Sequence, residues 1–190
     1  MSSMRRVLTN ALLIALLMTG SALGADAPDF RNVRWGMTMD EVNAAETEVG
    51  LRAVTGYSTL AGDCVVAGHP VSVFYEFTDS QLSEAFYAFL DAHTNDNLYI
   101  DDFEDLRQLL TLKYGPPAVD TAVWKRNLYR NDPDKRGFAV LCGDLKLRAE
   151  WDAPRTRVVL YLTGDNYKAY LWLTYTSKVT ATANPDLRGL

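Results

Sequence analysis

The chain has 190 residues, and its 24 acidic side chains outnumber the 19 basic ones. An acidic surface disfavours nucleic acid and anionic lipid headgroups as partners, because both carry the same sign of charge. The two cysteines lack the Cys-x-x-Cys spacing of thiol oxidoreductases, which argues against redox catalysis.

The first 24 residues have the pattern of a secretory signal peptide. Arg5 and Arg6 supply positive charge, and residues 7–18 form an apolar run that is too short for a comfortable membrane span. Small residues precede the expected cut between Gly24 and Ala25. We therefore expect export to the periplasm or beyond, without lipid attachment at an N-terminal Cys. Removing the two arginines leaves 17 basic against 24 acidic residues, a net charge of −7.

The first predicted helix runs from Thr38 to Val49. Thr38 and Glu41 have the spacing of a capping box, in which each side chain satisfies a free backbone N–H at the helix start. Gly50 is expected to end this helix. With the strands that follow, it makes up a predicted first half over residues 25–97. Those strands are predicted over residues 51–55, 63–67, 71–78 and 81–90.

A second helix is predicted between Asp101 and Gly115. Asp101 and Glu104 are expected to cap its start, and Gly115 before two prolines stops it. Its apolar stripe consists of Phe103, Leu106, Leu110 and Tyr114. This helix opens a predicted second half over residues 98–176, followed by a flexible tail over 177–190. The second half is predicted to contain strands over residues 121–125, 138–151, 156–163 and 167–176, with a loop over 127–137.

This order of elements predicts an α+β fold. It would consist of two halves, each with one helix and four antiparallel strands, and with the helices on one face of the sheets. The alternative is a single β-rich barrel or sandwich with two flanking helices.

Two short motifs resemble segments of known proteins. The Gly-Met-Thr-x-x-x-Val segment at 36–42 resembles the helix start of the small outer-membrane lipoproteins that assist β-barrel assembly. Trp-Gly-Met-Thr at 35–38, with Lys-Tyr-Gly-Pro-Pro at 113–117, resembles uncharacterised exported bacterial proteins. The doubled order of a helix and four strands is similar to that of the secreted β-lactamase-inhibitory proteins. These resemblances imply an exported protein with a tandem fold.

Cys64 and Cys142 are the two cysteines of the chain. In an oxidising compartment a single pair most simply forms a disulfide. We therefore expect a bond between them, with two separate buried thiols as the alternative.

Residues that could carry catalysis are sparse. His93 with Asp91 and Asp96 could form a metal site, but a solvated loop of turn-forming residues also explains them. We expect no catalytic residues, no metal and no cofactor. An alternative is a periplasmic hydrolase in which Glu76, Glu84 and Asp91 share a cleft, and another is a carrier for a small apolar ligand.

Aromatic residues alternate with core residues on the predicted strands. If Leu171 and Leu173 face the core, then Tyr170 and Trp172 face away from it. Because exposed aromatic side chains with arginine are typical of protein-binding surfaces, we expect a non-catalytic binding module. Its partner would be a protein or a cell-envelope component, and not nucleic acid. The predicted binding residues are Phe74, Arg157, Tyr161, Tyr170 and Trp172.

Overall fold

Eight antiparallel strands form one sheet in the computed structural model, which describes residues 27–179. Three α-helices accompany the sheet, so the predicted α+β class is confirmed. The predicted signal peptide and most of the predicted tail lie outside the described residues. The elements in chain order are α1 (Met39–Ala45), β1 (Arg52–Ala53), β2 (Thr59–Val66), β3 (His69–Thr78), β4 (Gln81–Phe89), α2 (Leu98–Tyr114), β5 (Val119–Trp124), a 3₁₀ turn (Pro133–Lys135), α3 (Arg136–Leu141), β6 (Leu145–Asp152), β7 (Thr156–Asp165) and β8 (Lys168–Ser177).

The strands lie in the order β1-β2-β3-β4-β8-β7-β6-β5. The centre of the sheet is the β4–β8 pair, in which Ala88 lies opposite Trp172 and Glu84 opposite Thr176. Strands β1 and β5 are at opposite ends of this order, so the described sheet is open rather than closed into a barrel. Ser177, the first residue of the predicted tail, instead ends β8 and is only 4% exposed.

One face of the sheet is buried from β2 to β6, whereas the edge strands β1 and β5 have no buried residue. Alternate residues of each long strand are inaccessible, as period-two side-chain geometry requires. The buried residues of the sheet include Val71, Val73, Tyr75, Tyr87, Leu147, Trp151, Val158, Leu160, Leu162, Leu171, Leu173 and Tyr175. Helix α2 contributes Phe103, Leu106 and Leu110 to the same core cluster. The Trp151 indole N–H also donates to the carbonyl of Gly115 at 2.9 Å, which ties the end of α2 to β6.

The capping box of α1 is confirmed. Thr38 accepts from the Glu41 backbone N–H, and Glu41 accepts from the Thr38 N–H at 2.8 Å. The helix nevertheless ends at Ala45, earlier than predicted. The next residue, Glu46, is buried and accepts from Arg31 Nε at 3.0 Å, and a buried carboxylate needs such partners. This long-range contact cannot be read from the local sequence.

Helix α2 begins three residues before the predicted cap. Its N-cap residue is Asn97, and Asp101 instead lies in its first turn, so the prediction that Asp101 caps the helix is wrong. The predicted stop is confirmed, because Gly115 has a φ of 84°, which favours glycine. The Asn97 side chain accepts from the Gly137 backbone N–H at 2.7 Å, so it bonds to the first turn of α3 instead of its own helix.

Helix α3 lies where a loop and the beginning of a strand were predicted. A Cβ added to Gly137 would lie 2.1 Å from the backbone of Asp96, so only glycine allows this approach of α3 to the start of α2. A Cβ on Gly164 of β7 would lie equally close to the carbonyl of Val140 in α3. Helix α3 therefore depends on tertiary contacts. The predicted extended segment over residues 138–151 is wrong at its start, whereas its second part is confirmed as β6.

The predicted disulfide is also wrong, since both thiols are free. Cys64 is in β2, opposite Val71 of β3. Cys142 is the C-cap of α3, which contacts β6, β7 and β8. Strand β2 is three strand positions from β8 and four from β7, a separation of roughly 14 to 19 Å at the usual spacing. A disulfide requires Cα atoms closer than about 7 Å, so the sheet order keeps the two thiols apart.

Candidate functional site

The side of the sheet opposite the buried face carries a group of aromatic side chains. In β8 the alternation is as predicted: Leu171 and Leu173 are buried, whereas Tyr170 is 37% and Trp172 is 43% exposed. The register of the sheet decides which neighbours these residues have. We refer to five residues as the aromatic face: Phe74, Phe86, Tyr161, Tyr170 and Trp172.

Trp172 lies near the middle of the aromatic face. Its cross-strand partners are Ala88 in β4 and Tyr161 in β7. Ala88 is small, so it leaves the indole accessible on that side. Tyr170, two residues away on the same strand, has its ring centre 5.9 Å from that of Trp172. Side chains two apart on a strand project from the same face, so these three aromatic residues form one continuous patch.

Phe74 and Phe86 extend the aromatic face toward β3. They lie opposite each other in the register, and their rings stack with centres 4.7 Å apart and planes inclined by 13°. Thr174 of β8 lies opposite Phe86 and joins this pair to the Trp172 strand. Phe86 was not among the predicted binding residues. Its side could not be assigned from the sequence, because the β3–β4 register shifts at Glu76.

Arg157, the predicted basic residue of the site, lies beside the aromatic face and is engaged in an ion pair. It donates to Glu150 at 2.6 Å through Nη2. Arg148 contacts the other oxygen of Glu150, also at 2.6 Å. One carboxylate therefore serves two guanidinium groups, which leaves one excess positive charge. The Arg157 side chain remains 52% exposed and accessible to a partner.

A pair of carboxylates lies in the same cross-strand row as Arg157, with Thr176 of β8 between the pair and the arginine. Glu76 and Glu84 are directly opposite in the β3–β4 register, as the sequence suggested for this hairpin. Partial burial and the neighbouring charge of Glu84 raise the pKa of Glu76. Thr176 donates to Glu84 at 2.9 Å. The open side of the sheet is thus negative near β3 and β4, and positive near β6 and β7.

Asp91, the third carboxylate of the suggested hydrolase cleft, lies elsewhere. It follows the end of β4, seven residues beyond Glu84, or roughly 23 Å along an extended chain. Next to Phe74 the surface instead forms a shallow groove of about 340 Å³. The groove is lined by Arg52, Ala53, Val54, Ala61, Gly62, Asp63, Ser72 and Phe74. It continues the aromatic face toward the β1 edge.

No family model, curated protein or solved structure matches this chain. The role of the aromatic face therefore has to be inferred from its own chemistry. Among the helices of residues 27–179, none has the length and apolar character needed to cross a membrane.

Proposed function

We propose that the chain is an exported, non-catalytic module that binds a protein through the aromatic face. The observation that carries this proposal is the uncovered Trp172, with Tyr170 and Tyr161 beside it, on the open side of the sheet. An antiparallel sheet with one solvated face normally presents polar side chains there. Tryptophan, tyrosine and arginine are the residues that most often dominate the energy of protein interfaces.

The charges around the aromatic face indicate the chemistry of the partner. Glu76 and Glu84 repel each other, and this repulsion adds to burial in raising the pKa of Glu76. A lysine or arginine of the partner placed between them would relieve this repulsion. The Arg148–Glu150–Arg157 group, on the β6 and β7 side of Thr176, favours an acidic residue. A partner that presents a basic and an acidic group about two strand spacings apart, beside an apolar cluster, would match this pattern and could bind in one orientation only.

Export and the tandem fold are the remaining parts of the proposal. The positively charged start and apolar run of the first 24 residues support export to the periplasm or beyond.

The strand order reads β1 to β4 and then β8 back to β5, which is what two similar halves joined at the β4–β8 pair would give. Helices α1 and α2 each precede four strands, with α3 as an insertion in the second half. This doubled order of a helix and four strands is the basis of the proposed likeness to the β-lactamase-inhibitory proteins, and placement of the helices on one face of the sheet is part of the same proposal.

The binding role can be tested by capture from an envelope extract of the source cells. The purified protein is immobilised, and proteins retained by it are compared with those retained by Trp172→Ala and Tyr170→Ala. Tyr57→Ala is the matched control, because Tyr57 is 74% exposed and is not part of the aromatic face. We expect each aromatic-face variant to bind a captured partner with about 30-fold or more lower affinity. This corresponds to a loss of about 2 kcal/mol at a central interface residue.

A charge reversal tests the proposed orientation. Glu84→Lys places a positive charge where the partner is expected to be basic, so affinity should fall, and the fall should shrink at high salt. Asp79→Lys on the exposed β3–β4 turn is the control with the same change of charge. A partner that retains full affinity for Trp172→Ala and Tyr170→Ala would place the binding surface elsewhere on the protein.

A further inference from the structure

Both histidines of the chain lie in one cluster with two carboxylates, on the side of the sheet away from the aromatic face. His69 begins β3 and has the same parity as the buried Val71 two residues later. Asp91 and His93 follow β4, and Asp102 is in α2. The cluster thus joins three segments of the chain that span 34 sequence positions, from 69 to 102.

The polar atoms of the cluster are close together. His69 Nδ1 lies 3.0 Å from Asp91 Oδ2, and His93 Nε2 lies 2.6 Å from Asp102 Oδ2. One ligating atom from each of His69, Asp91 and Asp102 can be chosen so that all three lie within 4.8 Å of one another. All four side chains are between 14% and 22% exposed, so the group is largely shielded but still reachable from solvent.

Aromatic and apolar side chains surround this cluster. The His69 ring meets the edge of Phe89 with ring centres 5.7 Å apart, and His93 meets Tyr99 at 4.7 Å. The Tyr99 hydroxyl also accepts from the His93 backbone N–H at 3.1 Å. A crevice of about 10 Å³ adjoins Asp91 and Asp102, which is room for about one water molecule or ion. The crevice is lined by Phe89, Asp91, Tyr99, Asp102, Ala169 and Leu171.

We propose that His69, Asp91 and Asp102 bind one divalent transition-metal ion of the zinc class. An imidazole nitrogen and two carboxylate oxygens are suitable ligands for such an ion at about 2.0 to 2.2 Å. Tetrahedral ligand atoms at these distances are about 3.4 Å from one another. Since no two of the three ligand atoms are more than 4.8 Å apart, ion binding would shorten any of their separations by about 1.4 Å at most. Calcium and magnesium prefer six or more oxygen ligands, more than these three side chains supply.

His93 is a positioning residue for this site. Its Nε2 contacts Asp102 Oδ2, and a second-shell donor of this kind fixes the orientation of a ligating carboxylate. Its own ring is held by Tyr99. The three ligands occupy three positions of a tetrahedron, and the fourth remains for water or an exogenous ligand. The ion would hold β3, the β4–α2 connection and α2 together.

The test uses purified protein without a polyhistidine tag, freed of metal by a chelator and dialysed. Zn²⁺ is titrated calorimetrically, and Co²⁺ is titrated with its visible absorption as the spectroscopic signature of a four-coordinate site. We expect one ion per chain and a melting temperature raised by roughly 5 to 10 °C with Zn²⁺ at 100 times its dissociation constant. The His69→Gln and Asp102→Asn variants should each bind Zn²⁺ at least 100-fold more weakly.

The control is Asp101→Asn, the same change at the neighbouring exposed position of α2. It should leave the affinity for Zn²⁺ unchanged. His93→Gln should weaken binding by about 10-fold, as expected of a group that orients a ligand. Less than half an ion bound per unmodified chain, or equal affinity in Asp102→Asn and Asp101→Asn, would overturn the proposal. The first of these measurements needs no variant, so a variant that fails to fold does not prevent a decision.

Discussion

Arg31→Met would leave a buried carboxylate without its cationic partner. Glu46 has no exposed side-chain surface, and Arg31 Nε donates to it at 3.0 Å. Methionine retains much of the apolar volume of arginine, so the main change is the loss of the charge and its hydrogen bonds. Glu46 would keep the backbone N–H of Asn32 as a donor at 3.2 Å.

The size of the effect follows from this remaining hydrogen bond. Removal of one partner of a buried ion pair costs about 3 to 5 kcal/mol. Because Asn32 still satisfies one oxygen of Glu46 and the Arg31 side chain is already 20% exposed, we expect a value near the lower limit, about 3 kcal/mol. For a domain of this size, that corresponds to a fall in melting temperature of roughly 6 to 12 °C.

Urea denaturation followed by tryptophan fluorescence measures the loss. The matched control is Arg107→Met, since Arg107 pairs with Glu104 and Asp120, whose side chains are 39% and 49% exposed. Exposed pairs contribute about 0 to 1 kcal/mol, so the control should lose less than 1 kcal/mol. In the Arg31→Met/Glu46→Gln double variant the buried charge is also removed, so part of the loss should be recovered.

Two results would refute this reasoning about Glu46. One is an equal loss of stability in Arg31→Met and Arg107→Met. The other is a double variant that is no more stable than Arg31→Met alone, because the damage would then not arise from an uncompensated charge.

Two further predictions concern stability. Glu76→Gln should raise the free energy of unfolding by about 0.5 kcal/mol at pH 7, the scale of a like-charged cross-strand pair. Burial and Glu84 raise the pKa of Glu76 in the folded state, so ionisation of Glu76 destabilises the fold. The gain should therefore shrink as the pH falls toward 4.5, the ordinary value for Glu, and vanish below it, and urea titrations at several pH values that show an undiminished gain would contradict it. Gly137→Ala should cost about 2 to 3 kcal/mol, because its Cβ would meet the Asp96 backbone at 2.1 Å. Gly56→Ala, at a positive φ but with open space around it, should cost only about 1 kcal/mol in the same thermal melts, and similar losses in both variants would argue against the steric explanation.

Features encoded by neighbouring residues were predictable from the sequence. The Thr38–Glu41 capping box and the Gly115 stop depend on side chains within one helical turn, and both are present. The exposure of Tyr170 and Trp172 follows from the alternation within β8 alone. The sequence therefore predicted four of the five residues of the aromatic face.

Features that depend on contacts between distant parts of the chain were not predictable. Whether Cys64 and Cys142 meet is decided by the number of strands between β2 and β7, which local patterns do not contain. The sequence suggests Asp91 and Asp96 as the metal-binding neighbours of His93, whereas the fold brings His93 to Asp102 and His69 to Asp91. Helix α3 was missed for the same reason, since a contact to Asn97 supports its first turn.

The position of β8 at the centre of the sheet has a consequence for synthesis. Its contacts with β4 join residues as far apart as Glu84 and Thr176, 92 positions along the chain. The first four strands therefore leave the β4 edge unpaired until the ribosome has added nearly the last residue that the sheet needs. Contacts of this sequence separation close slowly, because much chain entropy is lost before they form. The sheet of the nascent polypeptide thus stays incomplete until translation is nearly finished. A stop codon before β8 would remove the strand that joins β4 to β7.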